Sequence, residues 1–280
     1  MPPLRIEAPP GQRRRGYLWE LAVPPRPWWG GTLAGSGMKH LMIVGRPGTG
    51  KTTLIQGLAQ ALRPFPVDGF VTEECREQEQ RVGFWLSPLD GRQVLLAHRR
   101  MEQGPRVGPY RVNVSVLEDV AIPVIQRGVR HALILFLDEL GKMEFCSSRL
   151  AEAVQEAFDR GPSIVATAGV SPLPVLDALK HRKDVELIPL SPANRDAVQE
   201  ELLARLTALC QEDEAVRALQ RQADRICEMI VCGEVPLIDI EIQQQALREA
   251  VARAFPEKQA LYHVLYEARF RRLWQQFRQH

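Results

Sequence analysis

Residues 45–52 form a glycine-rich segment that is typical of phosphate binding. They read Gly-Arg-Pro-Gly-Thr-Gly-Lys-Thr and follow the apolar run 41–44. Glycines let the backbone turn its N–H groups towards a phosphate, and the start of the following helix adds unpaired donors. In this pattern Lys51 reaches the β- and γ-phosphates, and the hydroxyl of Thr52 is a ligand of Mg²⁺. The segment therefore predicts a nucleoside triphosphate site with Mg²⁺ as cofactor.

The residues expected to hold the triphosphate are the members of this segment and the threonine that follows it. They are Gly45, Arg46, Pro47, Gly48, Thr49, Gly50, Lys51, Thr52 and Thr53. The alternative is a glycine-rich turn without a ligand. A strand pattern before the segment and a helix pattern from Thr52 to about Leu62 favour the phosphate loop, the name used below for residues 45–52.

Two adjacent carboxylates follow a second apolar run. Residues 133–137 are all apolar, which is typical of a parallel strand covered on both faces, and Asp138 and Glu139 come next. The carboxyl end of such a strand lies beside the phosphate loop. Asp138 is predicted to hold Mg²⁺ together with Thr52, and Glu139 to activate an attacking water. The alternative is a pair of solvated acids at a strand end.

Composition narrows the class of protein. The 280 residues carry a net charge of +2, which gives no electrostatic footprint for nucleic acid. No apolar stretch approaches the roughly 18 residues of a membrane span. The five cysteines form no C-x-x-C pair, a pattern that favours reduced thiols over disulfides or zinc. We therefore expect a cytoplasmic protein without a nucleic-acid or membrane partner.

The chain divides into three parts. Residues 1–37 are rich in Pro, Gly and Arg and are expected to be a disordered tail, or an artefact of start-codon choice with Met38 as the start. Residues 38–210 alternate strand and helix patterns, which predicts an α/β domain with a mainly parallel sheet and helices on both faces. Residues 211–280 have only helical patterns.

The expected elements of the α/β domain include an antiparallel hairpin insertion formed by residues 67–74 and 82–86. Further strands are expected at 94–97, 110–114, 133–137, 164–167 and 185–190. Helices are expected at 115–128, 147–160, 174–181 and 192–210. The first of these is opened by the capping-box spacing of Ser115 and Glu118 and bent by Pro123, and the last is capped by Ser191.

Residues 211–280 predict helices at 213–232, at 239–255 and from about 257. The third carries an aromatic stripe at spacing four, which is more typical of a core than of a binding face. The stripe consists of Tyr262, Tyr266, Phe270 and Trp274. Packing on the α/β domain is the expected arrangement. A regulatory lid, a dimerisation element or a site for a protein partner are the alternatives.

Several motifs appear in an order that is similar to that of a known family. After the phosphate loop come Val67–Arg76 (Val-Asp-Gly-Phe-Val-Thr-Glu-Glu-Cys-Arg), Arg81–Phe84, Val107–Val112, Asp138–Glu144 (Asp-Glu-Leu-Gly-Lys-Met-Glu), Arg182–Val185 and Asn194-Arg195. With these motifs residues 38–207 resemble the THEP1-type nucleoside-triphosphatases, a P-loop family. The resemblance implies Mg²⁺-dependent hydrolysis of ATP, GTP and other nucleoside triphosphates. Leu140 in place of Ile, Pro109 in place of Lys and the glycine-free turn 78–80 depart from the pattern.

The resemblance suggests further site residues, each with an alternative. Lys142 either reaches a phosphate, pairs with Glu139 or extends into solvent. Thr167 either senses the γ-phosphate or is a buried threonine bonded to backbone. Arg76 is the catalytic candidate for stabilising transition-state charge, with a surface ion pair as the alternative.

Two other arginines, Arg182 and Arg195, compete with Arg76 for the transition-state role. Asn194 and Arg195 precede the last helix of the α/β domain and are expected to contact the nucleotide, with the base stacked on the guanidinium. The alternative for Asn194 is an ordinary helix cap.

Two other activities remain in view. One is a P-loop phosphotransferase that transfers phosphate to a small acceptor or a nucleotide. The other is a slow switch that acts through residues 211–280. A kinase needs a lid with several arginines, which the sequence lacks, and the adjacent Asp138 and Glu139 favour water as the acceptor.

Overall fold

The computed structural model describes residues 40–169 and 172–278. The expectation for residues 1–37 lies outside this range. The chain divides between Glu212 and Asp213 into two compact units. The first contains the phosphate loop and the second contains the C-terminal helices.

The first unit is built on a nine-stranded sheet with the order β5-β6-β4-β3-β2-β7-β8-β1-β9. The strands are β1 (His40–Val44), β2 (Val67–Glu77), β3 (Gln80–Pro88), β4 (Val94–His98), β5 (Arg106–Val107), β6 (Tyr110–Val112), β7 (Ile134–Leu140), β8 (Ser163–Ala168) and β9 (Val185–Pro189). From β2 to β9 in this order the strands pair in parallel. From β2 to β5 they pair antiparallel. The predicted α/β class, with its parallel sheet and hairpin insertion, is confirmed.

The hairpin of β2 and β3 is longer than its sequence pattern indicated. Its turn is formed by Gln78 and Glu79, whose φ angles of 47° and 65° lie in the left-handed region. Two consecutive positive φ values give the backbone twist of a two-residue hairpin turn, which usually selects glycine or asparagine. The hairpin therefore closes without the glycine that this turn normally contains.

Helices cover both faces of the sheet. The helices of the first unit are α1 (Lys51–Ala61), α2 (Ile122–His131), α3 (Ser148–Arg160), α4 (Pro174–Lys180) and the first half of α5 (Arg195–Cys232). Successive residues of a strand point to opposite faces, so each central strand contributes to two cores. Met42 packs in one core with α2 and α3, whereas Leu41 and Ile43 pack in the other with α1 and α5.

The helix predicted at 115–128 begins and bends differently. It starts at Val114–Val116, continues as a π-helical segment, Leu117–Ala121, and becomes α2 with Pro123 in its first turn. Proline lacks the N–H that an α-helix requires, and a wider turn before it accommodates the missing bond. The predicted capping box is wrong, because Glu118 accepts hydrogen bonds from Ser147 and Arg149 instead.

The separate helices predicted at 192–210 and 213–232 are wrong. A single helix, α5, runs from Arg195 to Cys232. No glycine or proline interrupts this segment, so nothing in the backbone chemistry ends the first helix near residue 210. Ser191 is not its cap, since the helix begins four residues later, after a loop that Asn194 organises.

The second unit has its own core. The end of α5 packs there with α6 (Leu237–Ala254) and α7 (Ala268–Phe277). The third predicted helix begins irregularly, because a 3₁₀ turn at Pro256–Lys258 and a π-helical segment at His263–Glu267 precede α7. Tyr262 and Phe270 are buried, and Tyr266 and Trp274 pack against them, so the aromatic stripe is a core stripe as predicted. Within the described residues, no helix combines the length and apolar character needed to cross a membrane.

Gly69 allows β2 to approach β7, and this contact yields a prediction. A Cβ at Gly69 would lie 1.9 Å from the carbonyl oxygen of Phe136. We expect Gly69→Ala to lower the free energy of unfolding by more than about 3 kcal/mol, since the strands must separate. Gly91→Ala is the matched control, because Gly91 also has a positive φ but nothing lies within 4 Å of its Cβ position. Urea unfolding measures both, and equal losses would contradict the close-approach argument.

Tyr262 and Phe270 are the two buried members of the aromatic stripe, and Phe270 provides a test of the second unit's core. Its exposed fraction is 3%. We expect Phe270→Ala to destabilise this unit by about 3–5 kcal/mol through lost burial and a cavity. Gln275→Ala, at an exposed position of the same helix, should change stability by less than about 0.5 kcal/mol. Hydrogen exchange resolved by segment measures the effect, and unchanged protection of α6 and α7 would contradict it.

Candidate functional site

The phosphate loop connects the end of β1 to the start of α1 at the carboxyl edge of the parallel strands. Gly48 and Gly50 have φ angles of 80° and 89°, values that L-residues with a side chain rarely adopt. The hydroxyl of Thr49 donates to the carbonyl of Arg46 across the loop at 3.0 Å. A Cβ at Gly45 would meet the carbonyl oxygen of Leu190 at 2.8 Å, so the loop lies tightly against the end of β9.

Lys51 is buried at the centre of this loop. Its Nζ donates to the carbonyl oxygens of Gly45 at 3.2 Å and Arg46 at 3.4 Å. Nζ also lies 3.8 Å from Oε1 of Glu139, and the two side chains are 6% and 39% exposed. The positive charge of the loop and the carboxylate that follows β7 are therefore neighbours.

Asp138 is fully buried and hydrogen-bonded to three elements around it. Its Oδ1 accepts from the hydroxyl of Thr167 on β8. Its Oδ2 accepts from the N–H of Thr72 on β2 at 3.4 Å, and its carbonyl accepts from the Thr72 hydroxyl at 2.8 Å. The hydroxyl of Thr52 on α1 donates to the same carboxyl group. The two predicted Mg²⁺ ligands, Thr52 and Asp138, are thus in contact.

Burial raises the pKa of Asp138 to about 6, although the hydrogen bonds from Thr167 and Thr52 act in the opposite direction. Glu139 adds a second negative charge that also raises this pKa. A divalent cation would reverse the effect by favouring the carboxylate form. A hydroxyl and a carboxylate are hard oxygen donors, and Mg²⁺ commonly takes only one or two protein ligands beside water and phosphates. The donor set therefore fits Mg²⁺.

The structure distinguishes among the lysine and threonine alternatives. Lys142 is exposed, and the lysine described beside Glu139 is Lys51. Thr167 is buried, but its hydroxyl bonds the carboxylate of Asp138 rather than the backbone. Strand β8 pairs with β1 and places Thr167 beside Ile43. The hydroxyl of Thr167 therefore lies one strand away from the phosphate loop, which follows β1.

Two of the three candidate arginines are engaged elsewhere. Arg76 forms a two-nitrogen ion pair with Glu74 and bonds the Glu79 carbonyl, all within the hairpin. It lies four residues beyond Thr72, or about 13 Å along the strand. Arg182 binds Asp184 and Asp159, and Asp184 adjoins the amino end of β1. Because the phosphate loop follows the opposite end of β1, the candidacy of Arg182 is wrong.

Asn194 and Arg195 behave differently from each other. The side-chain amide of Asn194 accepts from the N–H of Ser191 at 2.8 Å and donates to the carbonyl of Pro189 at 2.9 Å, so it organises its own loop. The side chain of Arg195 lies against the phosphate loop. Its Cδ is 2.9 Å, and its nearer terminal nitrogen 3.3 Å, from the position of a Cβ on Gly50.

Sequence reasoning gave no role to two residues that the fold brings to the site. Thr72 fixes Asp138 through backbone and side chain, and only the pairing of β2 with β7 reveals it. Glu144 is 3% exposed, and burial raises its pKa to about 8, with Glu139 and Asp138 adding repulsion. In the sequence, the only indication of a role for Glu144 was its position at the end of the acidic motif 138–144.

The assembled residues have the components of phosphoryl transfer to water. A backbone loop with a lysine can hold phosphate oxygens, a hydroxyl and a carboxylate can hold a divalent cation, and a partly exposed carboxylate beside the lysine can orient water. All of these groups lie within the first unit of the chain.

Comparison with known proteins agrees with this geometry. The model of a protein family described as NTPase matches residues 40–203. Nucleoside-triphosphatase THEP1 of Thermotoga maritima is 38% identical over 166 residues, which are 59% of this chain and 94% of that protein. The human cancer-related nucleoside-triphosphatase is 34% identical over 176 residues, 56% of this chain and 91% of that protein.

Solved structures give the same assignment. The crystal structure of THEP1 from Aquifex aeolicus matches with a TM-score of 0.55 at 33% identity, covering 60% of this chain and 98% of that one. The solution structure of the human protein matches with a TM-score of 0.54 at 31% identity, covering 61% and 98%. With its loop, lysine and acids assembled at one sheet edge, this chain belongs to the THEP1-type family of P-loop nucleoside-triphosphatases and hydrolyses nucleoside triphosphates.

Proposed function

We propose that the chain converts nucleoside triphosphates, with little regard to the base, to the diphosphate and phosphate in a Mg²⁺-dependent reaction. The observation that carries the proposal is the position of Glu139. Its carboxylate is partly open to water, lies 3.8 Å from Lys51, and follows directly on the buried Asp138. A base at this place can orient water in line with a phosphate held by the loop.

The triphosphate would be held by residues 45–53. Their backbone N–H groups and the start of α1 supply donors and a favourable dipole for the phosphates. Lys51 would exchange the carbonyls of Gly45 and Arg46 for phosphate oxygens, which gain more from its charge than neutral carbonyls do. This exchange also leaves Glu139 free to bind water.

Mg²⁺ would be held by Thr52 and Asp138, with Thr72 and Thr167 orienting the carboxylate. When bound, the ion supplies positive charge that offsets the charge of the phosphate oxygens. Asp138 must be ionised to serve as a ligand. Burial raises its pKa, and a bound cation would lower it again by favouring the carboxylate form. We do not extend the proposal to Arg76 or Lys142, since the contacts of Arg76 belong to the hairpin and Lys142 is exposed.

We also propose that the protein acts in the cytoplasm. The five cysteines, which all lie in the described residues, form no disulfide there, and they include the partly exposed Cys75 and Cys146 and the exposed Cys232. Reducing compartments keep thiols in this state. Fractionation of cells that express the protein tests this location.

Lys51 provides the first test of the site. We expect Lys51→Ala to reduce turnover by at least about 100-fold and to weaken triphosphate binding, because the charge nearest the γ-phosphate is lost. Phosphate release and calorimetric binding of a Mg-nucleotide measure the two effects. Lys183→Ala, which removes an exposed lysine, is the control and should behave as wild type. Wild-type turnover by Lys51→Ala would overturn the proposed site.

Glu139 and Asp138 provide a matched pair with opposite signatures. We expect Glu139→Gln to lower turnover by about 10²–10⁴-fold while the dissociation constant of the Mg-nucleotide changes only a few-fold, since a general base is lost. Asp138→Asn should instead raise the Mg²⁺ concentration needed for half-maximal activity. Circular dichroism checks that both variants are folded. If both bind and turn over as wild type does, the two acids are structural.

A further inference from the structure

The two sides of the phosphate loop differ in the groups that they present. In the sheet, β8 and β7 lie on one side of β1, and β9 lies on the other. Neighbouring strands are about 4.8 Å apart, so β7 with its acids is about 10 Å to one side of β1 and β9 about 5 Å to the other. If the proposed function holds, the hydrolysed phosphate lies on the side of Glu139, and the nucleoside extends towards β9.

Arg195 lies on that nucleoside side, against the residue that precedes Lys51. Gly50 is the contact point, and a Cβ there would lie 2.9 Å from Cδ of Arg195. The absence of a side chain at Gly50 therefore allows the arginine to lie over the loop. The amide of Asn194 fixes the preceding turn, and Gln199, one helical turn later, packs 3.3 Å from the Cβ position of Gly57 on α1. Both contacts hold the first turn of α5 in place.

The guanidinium of Arg195 makes weaker ion pairs than the guanidinium groups of the two other candidate arginines, Arg76 and Arg182. Arg76 and Arg182 each bind carboxylates through two nitrogens. In the described part of the chain, the ion pair of Arg195 is a 3.4 Å contact from Nε to Asp196, whose side chain is 92% exposed. Such an exposed pair is weak, so the terminal nitrogens and the flat faces of Arg195 are available to a ligand.

From this placement we propose that Arg195 binds the nucleoside end of the substrate by stacking its guanidinium plane on the base. Every base has a π-face, so stacking is tolerant of base identity, whereas hydrogen bonds to a base edge are selective. Arginine suits this role because its planar, delocalised group stacks on aromatic rings, which the ammonium of lysine cannot imitate. Arg195 is then a determinant of broad substrate range and does not stabilise the transition state.

The test compares ligands with and without a base. Dissociation constants are measured for Mg²⁺ complexes of ATP, GTP, CTP and UTP, and for Mg-tripolyphosphate, by calorimetry or by competition with a fluorescent nucleotide. We expect Arg195→Ala to weaken all four nucleotides by about 5- to 100-fold, the range of one lost base stack, and to leave tripolyphosphate within about three-fold. Turnover at saturating nucleotide should stay within about three-fold, because the interaction is equal in ground and transition states.

Two further variants sharpen the comparison. Arg195→Lys keeps the charge but not the plane, and it should resemble Arg195→Ala. Arg63→Ala, which removes an exposed arginine after α1, should match wild type. If Arg195→Ala weakened the binding of tripolyphosphate as much as that of the nucleotides, or if Arg195→Lys bound nucleotides as wild type does, the stacking role would be overturned in favour of a phosphate contact. A loss of turnover above about 100-fold with unchanged nucleotide affinity would overturn it in favour of a transition-state role.

Equilibrium binding needs no turnover, so this result is separable from the proposed reaction. If the wild-type chain bound nucleotides but released no phosphate, the Mg²⁺-dependent hydrolysis proposal would fail while the stacking comparison would still be decided. If it hydrolysed all four nucleotides and Arg195→Ala changed no dissociation constant, only the stacking proposal would fail.

Discussion

The site of this protein depends on one buried carboxyl group. Asp138 is fully inaccessible to solvent, and burying a carboxyl without partners is costly. Its oxygens accept hydrogen bonds from Thr72 on β2, Thr52 on α1 and Thr167 on β8, so residues from three separate elements must be in place to satisfy it. The same requirement fixes the end of β7 relative to the phosphate loop. A group that stabilises the sheet edge thereby also positions the residues that do chemistry.

The charges of the site are arranged around this group. Lys51 is buried and lies near Glu139, while Asp138 and Glu144 are carboxyls whose pKa burial raises. Without a ligand, the single lysine faces more acidic groups than it can neutralise, and raised pKa values relieve the repulsion. A triphosphate with its cation changes this balance, since the lysine then faces phosphate and the acids face the cation. The site is thus organised for a ligand that brings both signs of charge.

The long helix α5 contributes to two hydrophobic cores. Its first turns carry Arg195 beside the phosphate loop, and Leu202 and Leu206 pack in the core shared with α1. Its last turns supply Ile226 and Ile230 to the core of the second unit. The family match ends at residue 203, so the second half of this helix lies outside the segment shared with the relatives. Every residue to which we assign a role lies in the first unit.

Local chemistry determined much of this protein from its sequence alone. The glycines of 45–50 specify the phosphate loop through their backbone freedom, and the apolar runs specify the central strands and the parallel class of the sheet. These features could be predicted because each signal acts over only a few residues. The aromatic stripe of Tyr262 and Phe270 likewise specified a core. The sequence did not separate the three arginines, since which of them lies beside the phosphate loop depends on the order and direction of the strands. That order places Arg195 against Gly50 and Arg182 near the opposite end of β1. The sequence did not reveal that α5 is continuous, because no residue marks a boundary there, nor that Thr72 fixes Asp138, because their contact spans 66 residues of chain. Those facts follow from tertiary structure, which alone brings distant polar groups into hydrogen-bonding range.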